Sequence, residues 1–242
     1  MSLEESVLVI TVLATLSYAS ISDLRTREVK EYVWVPAALI SVTINLLTGN
    51  YDILQLAIAS IPALLVLIFS LLDMMGGADF LALLVVTLAH PRIFPKPLTY
   101  LTLVYSLIIP VILIVSNLFY GLKYFRHYKE IKCVRGSRAM LLLLGRPKRV
   151  DSFLNSRFTY LLTIPAEQQR NLFECRTSFS MDDTYEEELR SNVRELLEKG
   201  VLKNNDLLWV TPGLPQIVFY LFGYVAALVT PESLLHLIIS LT

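Results

Sequence analysis

Two aspartates stand where carboxylate chemistry is possible. Asp23 closes the first apolar run, just ahead of the basic stretch RTREVK, and Asp79 follows the glycine pair Gly76-Gly77 in LLDMMGGADF. Two carboxylates that share one water can hydrolyse a peptide bond. The ionised one takes a proton from the attacking water, while the protonated one hydrogen-bonds the scissile carbonyl and then protonates the leaving amine. Like-charge repulsion holds the pair in these two different states. Taken singly, either acid reads equally as a helix cap or an interface anchor. A third, Asp73, ends the preceding apolar run and fits that structural role better than Asp79 does. Other hydrolytic chemistries lack their residues: there is no HExxH, no GxSxG and almost no lysine in the apolar runs for a Ser/Lys dyad. Cys133 and Cys175 have no metal or redox spacing, so no metal and no disulfide is expected, and a reduced cytosolic setting is the default.

Elements able to bring Asp23 and Asp79 together must lie in a membrane. Hydrophobic residues make up 55% of the 242 and charged residues only 17%, which excludes a soluble domain for most of the chain. The zero net charge conceals an uneven spread. Sixteen of the 21 Lys and Arg lie between Lys123 and Lys203, beside 12 of the 21 acids. The expected domains are therefore 1–121 (membrane, with both aspartates), 122–212 (a polar insert) and 213–242 (a last transmembrane helix). The run Val7 to Ile21 is preceded by Glu4 and Glu5 and shows no small-residue cleavage pattern, so it reads as a retained helix and not a signal peptide.

Crossing a hydrocarbon core takes roughly 20 apolar residues. Candidate spans are 6–22, 33–48, 53–74, 79–90, 98–121 and 214–241, the last interrupted at Pro231-Glu232. The expected fold is an all-α polytopic membrane protein: six transmembrane helices with a small cytoplasmic α+β insert before the last. Arg25, Arg27 and Lys30 make one basic connection, and Lys123 to Arg135 open another. Both belong inside by the positive-inside rule. An external N-terminus satisfies both, and it also places LLDMMGGADF at the cytoplasmic face beside Asp23. From Asp79 to His90 is 12 residues, or about 18 Å of helix against a core of ~30 Å. A carboxylate at that depth is a functional hypothesis with a partner to name. His90 and His236 read as residues of the outer interface.

The residues SDLRTREV after the first span and GGAD opening the fourth resemble the two signatures of the GxGD membrane aspartic peptidases. They are most similar to the archaeal preflagellin and type IV prepilin peptidases, and WVTPGLP at 209–215 resembles that branch's approach to its final helix. The resemblance implies Asp23 and Asp79 as the catalytic pair, with Gly76, Gly77 and Ala78 shaping the active-site loop. It also implies cleavage of a short charged leader ending in Gly, ahead of a hydrophobic helix, on the cytoplasmic face. Substrate partners would be preflagellins or prepilin-like proteins, with Glu28, Glu31 or Asp73 receiving the leader's positive charge. Two positions depart from the pattern: Ala78 replaces the motif's second glycine, and Leu81 stands where a lysine is common. With no CxxC pair the chain lacks the cysteine-rich methyltransferase insert of bacterial relatives. Cleavage without methylation and without S-adenosylmethionine or any other cofactor is expected.

Two other readings use the same acids. A proton- or cation-coupled transporter would carry its acids at mid-membrane between inverted repeats, and no such repeat is visible. A presenilin-like protease cuts inside a helix, but its first aspartate typically follows a tyrosine, whereas Ser22 precedes Asp23 here. In the polar insert, Lys123 to Arg138 suits an anionic lipid leaflet. AMLLLLG at 139–145 is too short to span, and TYEEELRSNVRELLEKG is an amphipathic helix capped by Thr184 and Glu187 and ended by Gly200. Its basic residues are not interleaved with aromatics, so nucleic acid is not an expected partner. Finally, two ionisable groups pressed together in a dry site repel. The substrate-free enzyme is therefore expected to hold the two carboxylates farther apart than one water can bridge.

Overall fold

A computed structural model describes residues 2–72, 75–165, 172–176 and 183–233. It is mostly helical, with small sheets in the C-terminal half. In chain order come α1 (Leu3–Thr26), a 3-10 turn (Glu31–Val33), α2 (Val35–Leu47), α3 (Ile53–Ala59), α4 (Ile61–Leu71) and α5 (Gly77–Ala89). Then follow α6 (Leu98–Ser106), α7 (Ile108–Lys123), α8 (Phe125–Glu130), β1 (Lys132–Arg135), α9 (Arg138–Leu144), β2 (Arg146–Arg149) and α10 (Val150–Leu154). The chain continues through β3 (Thr159–Leu161), β4 (Thr163–Pro165), β5 (Leu172–Cys175), α11 (Asp183–Glu198), β6 (Leu207–Pro212) and α12 (Gln216–Val229). These elements form two units, Met1–Ile109 with Pro215–Thr242, and Pro110–Leu214.

Each expected apolar segment is helical over most of its described residues, but only some reach spanning length. α1 has 24 residues and the α6–α7 stretch 26, each enough to cross a membrane. α3 and α4 together are long and apolar enough for one span but are bent by 44° at Ser60, where Pro62 lies in the first turn of α4 and supplies no N–H to the helix before it. α2, α5 and α12 are shorter apolar helices. α12 ends at Val229, and His236 with the remainder of the expected last span lies outside the described residues.

The core of this unit follows the 3.6-residue period of α1. Leu8, Val12, Leu16 and Ala19 are buried in one stripe, together with Ala82, Val85, Val86 and Ala89 of α5 and Ile217, Tyr220 and Tyr224 of α12. A Cβ at Gly223 of α12 would strike the Thr102 carbonyl oxygen and crowd Ser106 on α6, so that glycine sets how closely α6 and α12 pack. At the other end of α5, Asn45 Nδ2 donates to the carbonyls of Leu88 (2.9 Å) and Ala89 (3.2 Å). There too His90 Nε2 lies 2.7 Å from the Tyr224 hydroxyl.

The second unit carries two three-stranded sheets, ordered β1-β5-β4 and β2-β6-β3. β6 is antiparallel to both neighbours, while β5 runs parallel to β1 and antiparallel to β4. Trp209 of β6 is buried, and its indole N–H donates to the Leu141 carbonyl at 2.9 Å. Most of AMLLLLG is helical, as α9, with Gly145 beyond its end. Leu189, Val193 and Leu196 of α11 are buried as a single face, and Gly200 (φ 72°) follows the helix in the left-handed region. α11 already includes Asp183, one residue before the Thr184 expected as its cap, so Thr184 lies within the first turn; its side chain is outside the described set.

The expectation for the cysteines is overturned: Cys133 and Cys175 form a disulfide, with Cα atoms 5.4 Å apart. They are 42 residues apart in sequence. It is the pairing of β1 with β5 that makes them neighbours, and no local spacing announces such a pairing.

Candidate active site

Asp23 occupies the last turn of α1, and local hydrogen bonds fold the chain sharply after it. Arg27 adopts a left-handed conformation (φ 59°) as the helix ends, its N–H donating to the Asp23 carbonyl at 3.1 Å. For a residue other than glycine that conformation costs about 1–2 kcal/mol. The side chains of SDLRTREV hold it in place: the hydroxyls of Ser22 and Thr26 both donate to the Glu28 carbonyl, at 2.7 and 3.2 Å. Returning in this way, the turn sets the Arg27 guanidinium 3.8 Å from Asp23 Oδ1. The Asp23 side chain is turned inward and the residue is 7% exposed.

Its second oxygen meets a partner from the far end of the chain. Asp23 Oδ2 accepts the backbone N–H of Ile217 at 3.2 Å. Ile217 sits in the first turn of α12, directly after WVTPGLP, where backbone N–H groups have no partner inside the helix. The start of α12 thus presents a free donor, and the aspartate takes it.

Asp79 is held by its own helix start. It lies in the first turn of α5, and its Oδ2 accepts the Gly76 N–H at 3.1 Å while its N–H donates to the Gly76 carbonyl, also at 3.1 Å. The carboxylate supplies its half of a capping box, the Gly76 backbone carbonyl taking the place of the missing side-chain acceptor, and an acid there also suits the positive end of the helix dipole. Asp79 is 8% exposed and within electrostatic reach of Asp23. Among the described residues no hydrogen bond joins the two carboxylates; each is tied to a backbone N–H instead.

The remaining expected site residues divide into two groups. Gly76, Gly77 and Ala78 line a cavity of about 870 Å³ together with Arg27, Glu28 and Glu31. Both glutamates are exposed at its polar side, and Trp34, Phe80 and Leu84 form apolar wall. Asp73 lies outside the described residues. Gly76 has φ −75°, open to any residue, and a Cβ on it would sit 3.6 Å from Asp79 Oδ2, an ordinary contact.

Three contributors to this region were not singled out from sequence. Ile217 acts through its backbone, which its side-chain type does not announce. Trp34 is buried at the cavity wall and Tyr220 is buried within electrostatic reach of Asp79, yet both read in sequence as ordinary apolar-run aromatics. Pro215 immediately before α12 is the one signal that could have marked a helix start there. Among the described residues no cluster of three His, Cys, Asp or Glu could hold a metal ion.

Comparison with known proteins matches this region directly. Residues 10–119, which include both aspartates, match the model of the type IV leader peptidase family. Residues 137–231 match the model described as archaeal peptidase A24 C-terminus, type II. No individually curated protein matches the chain. With the two matches together covering most of its length, the chain belongs to the type IV leader peptidase family, on its archaeal branch.

Proposed function

We propose that this protein is a membrane-embedded aspartic endopeptidase, with Asp23 and Asp79 as the catalytic pair. Its substrates are preflagellins or prepilin-like proteins, whose short basic leader it removes at the cytoplasmic membrane face. Six crossings with an external N-terminus place the pair on that face. The observation that carries the reading is the pairing of two buried acids from different helix ends within electrostatic reach of one another, inside the segment matched to a peptidase family.

The chemistry follows from what each carboxylate already holds. Ile217 and Gly76 each occupy one carboxylate oxygen with a backbone N–H, which orients the group and leaves lone pairs on both acids for a water between them. The ionised member accepts a proton as the water oxygen bonds to the scissile carbonyl carbon. The protonated member gives its proton to the carbonyl oxygen, producing a neutral gem-diol. Collapse of that intermediate breaks the C–N bond, the first acid giving its proton to the leaving amine while one diol hydroxyl returns a proton to the second acid as the product carbonyl re-forms. Both acids end as they began.

Substrate placement uses the 870 Å³ cavity beside the loop. Exposed Glu28 and Glu31 receive the leader's positive charges, and the apolar wall at Trp34, Phe80 and Leu84 takes the start of the hydrophobic helix. Asp73 is a third acid for the leader. In this reading the carboxylates close on one water only as substrate binds.

The test is incubation of membranes bearing the protein with a preflagellin, following loss of the leader on a gel. Removal of the leader by the wild type and not by Asp23→Asn or Asp79→Asn supports the reading. Retention of the leader in every sample overturns it.

A further inference from the structure

The helix that supplies Ile217 to Asp23 also carries a buried polar group with nothing to bond. Tyr220 lies one turn further along α12, is 0% exposed, and its hydroxyl has no hydrogen-bond partner among the described protein groups. The amide of Gln216, one turn earlier, is within interaction range but not at hydrogen-bond geometry, and its own Nε2 is buried and unpaired too. Across the seam, Ser20 of α1, three residues before Asp23, is also buried with its hydroxyl unpaired. A buried polar atom left without a bond costs about 1–3 kcal/mol, so the Tyr220 hydroxyl calls for a reason.

Position supplies that reason. Tyr220 is within electrostatic reach of Asp79, while the Ile217 N–H three residues earlier on the same helix holds Asp23. The phenol therefore belongs to the space served by both carboxylates. A neutral phenol is a donor that need not give up its proton. What that space lacks among its described fixed groups is a donor for the second oxygen of the gem-diol, since the acids are engaged with the incoming water and the carbonyl oxygen.

We infer that Tyr220 is a further catalytic residue, whose hydroxyl donates a hydrogen bond to the tetrahedral intermediate formed at the scissile carbonyl. The bond strengthens as the planar carbonyl becomes a diol, so it serves the transition state more than the bound substrate. No proton leaves the phenol, and the hydrolysis balances through the two aspartates alone. This assignment rests on the peptidase reading above.

The experiment uses the full-length protein in membranes or detergent and compares wild type with Tyr220→Phe. The hydroxyl is unpaired in the fold, so its loss leaves thermal stability equal or higher. Cleavage of a leader-bearing peptide should slow at least tenfold in kcat with KM within twofold. Two inhibitors read the cause. A leader peptide with a hydroxyethylene unit at the scissile bond carries the tetrahedral oxygen, and the same peptide with a reduced –CH2–NH– bond lacks it. Tyr220→Phe should lose about tenfold affinity for the first and none for the second. Equal kcat and equal affinity for both inhibitors overturn the role of Tyr220 while the peptidase stands. Equal loss for both, or a less stable variant, makes the hydroxyl structural and overturns it as well. Wild type that cleaves no leader overturns the peptidase reading, and the role of Tyr220 with it.

Discussion

The Ile217 backbone N–H donates to Oδ2 of Asp23 at 3.2 Å, joining residues 194 positions apart. This single bond ties the last described helix to the first at the point where the chemistry is proposed. It also separates two ways of removing the acid. Asn keeps an oxygen that accepts the same N–H, whereas Ala leaves the donor buried and unpaired. Asp23→Asn should lose at least 1,000-fold in cleavage with little change in thermal stability. Asp23→Ala should be equally inactive and less stable by about 1–3 kcal/mol. A thermal shift of the purified proteins beside a leader-cleavage assay reads both.

The Gly76 loop offers the same contrast on the second acid. With φ −75° and room for a Cβ, Gly76→Ala should keep cleavage within about threefold. Gly76→Pro tolerates that φ but deletes the N–H that Asp79 accepts, and should slow cleavage at least tenfold. Equal rates for the two variants would show that this bond does not matter to the site. Asp73→Asn is expected to retain most activity.

Gly223 tests the packing beneath the site. An added methyl there meets backbone of α6, which cannot swing aside as a flexible side chain can. Gly223→Ala should destabilise the first unit by about 1–3 kcal/mol, visible as a lower melting temperature in detergent.

The second unit should depend on its disulfide. For a closed loop of this sequence separation the chain-entropy account gives a stabilisation of about 4 kcal/mol. Cys133→Ser with Cys175→Ser, or wild type under reductant, should unfold at lower denaturant concentration than the oxidised protein.

Glu186 should give that unit a pH dependence of known sign. Burial pushes its carboxyl above the ordinary 4.5, opposed by the Arg176 guanidinium bonded to it at 3.0 Å. The native state therefore keeps this proton to higher pH than the unfolded chain does. Its contribution to stability is present below pH 4.5 and declines as pH rises from there through the native value. Glu186→Gln should flatten that part of the stability profile, measured by denaturant titration across pH 4 to 8.

Much of the architecture was legible because membranes restrict the options. A chain in hydrocarbon must satisfy its own backbone, so apolar runs of the right length become helices. The two aspartates stood out for the same reason, as acids at apolar helix ends beside a basic connection. Helix breaks were less legible: Pro62 splits an expected single span into α3 and α4 at a 44° bend.

What the sequence determined by itself was therefore local: helix-forming apolar segments, the capping chemistry around Asp79, the Ser and Thr that lock the turn after Asp23, and a family signature. Tertiary structure alone decided the contacts between distant segments. The Ile217 N–H on Asp23, the unpaired Tyr220 hydroxyl within electrostatic reach of Asp79 and the Cys133–Cys175 bond all depend on which helices and strands become neighbours. A backbone donor carries no residue-type signal, and a tyrosine in an apolar run looks the same whether it packs or reacts. Their meaning arises only from burial beside a particular charge, which packing creates.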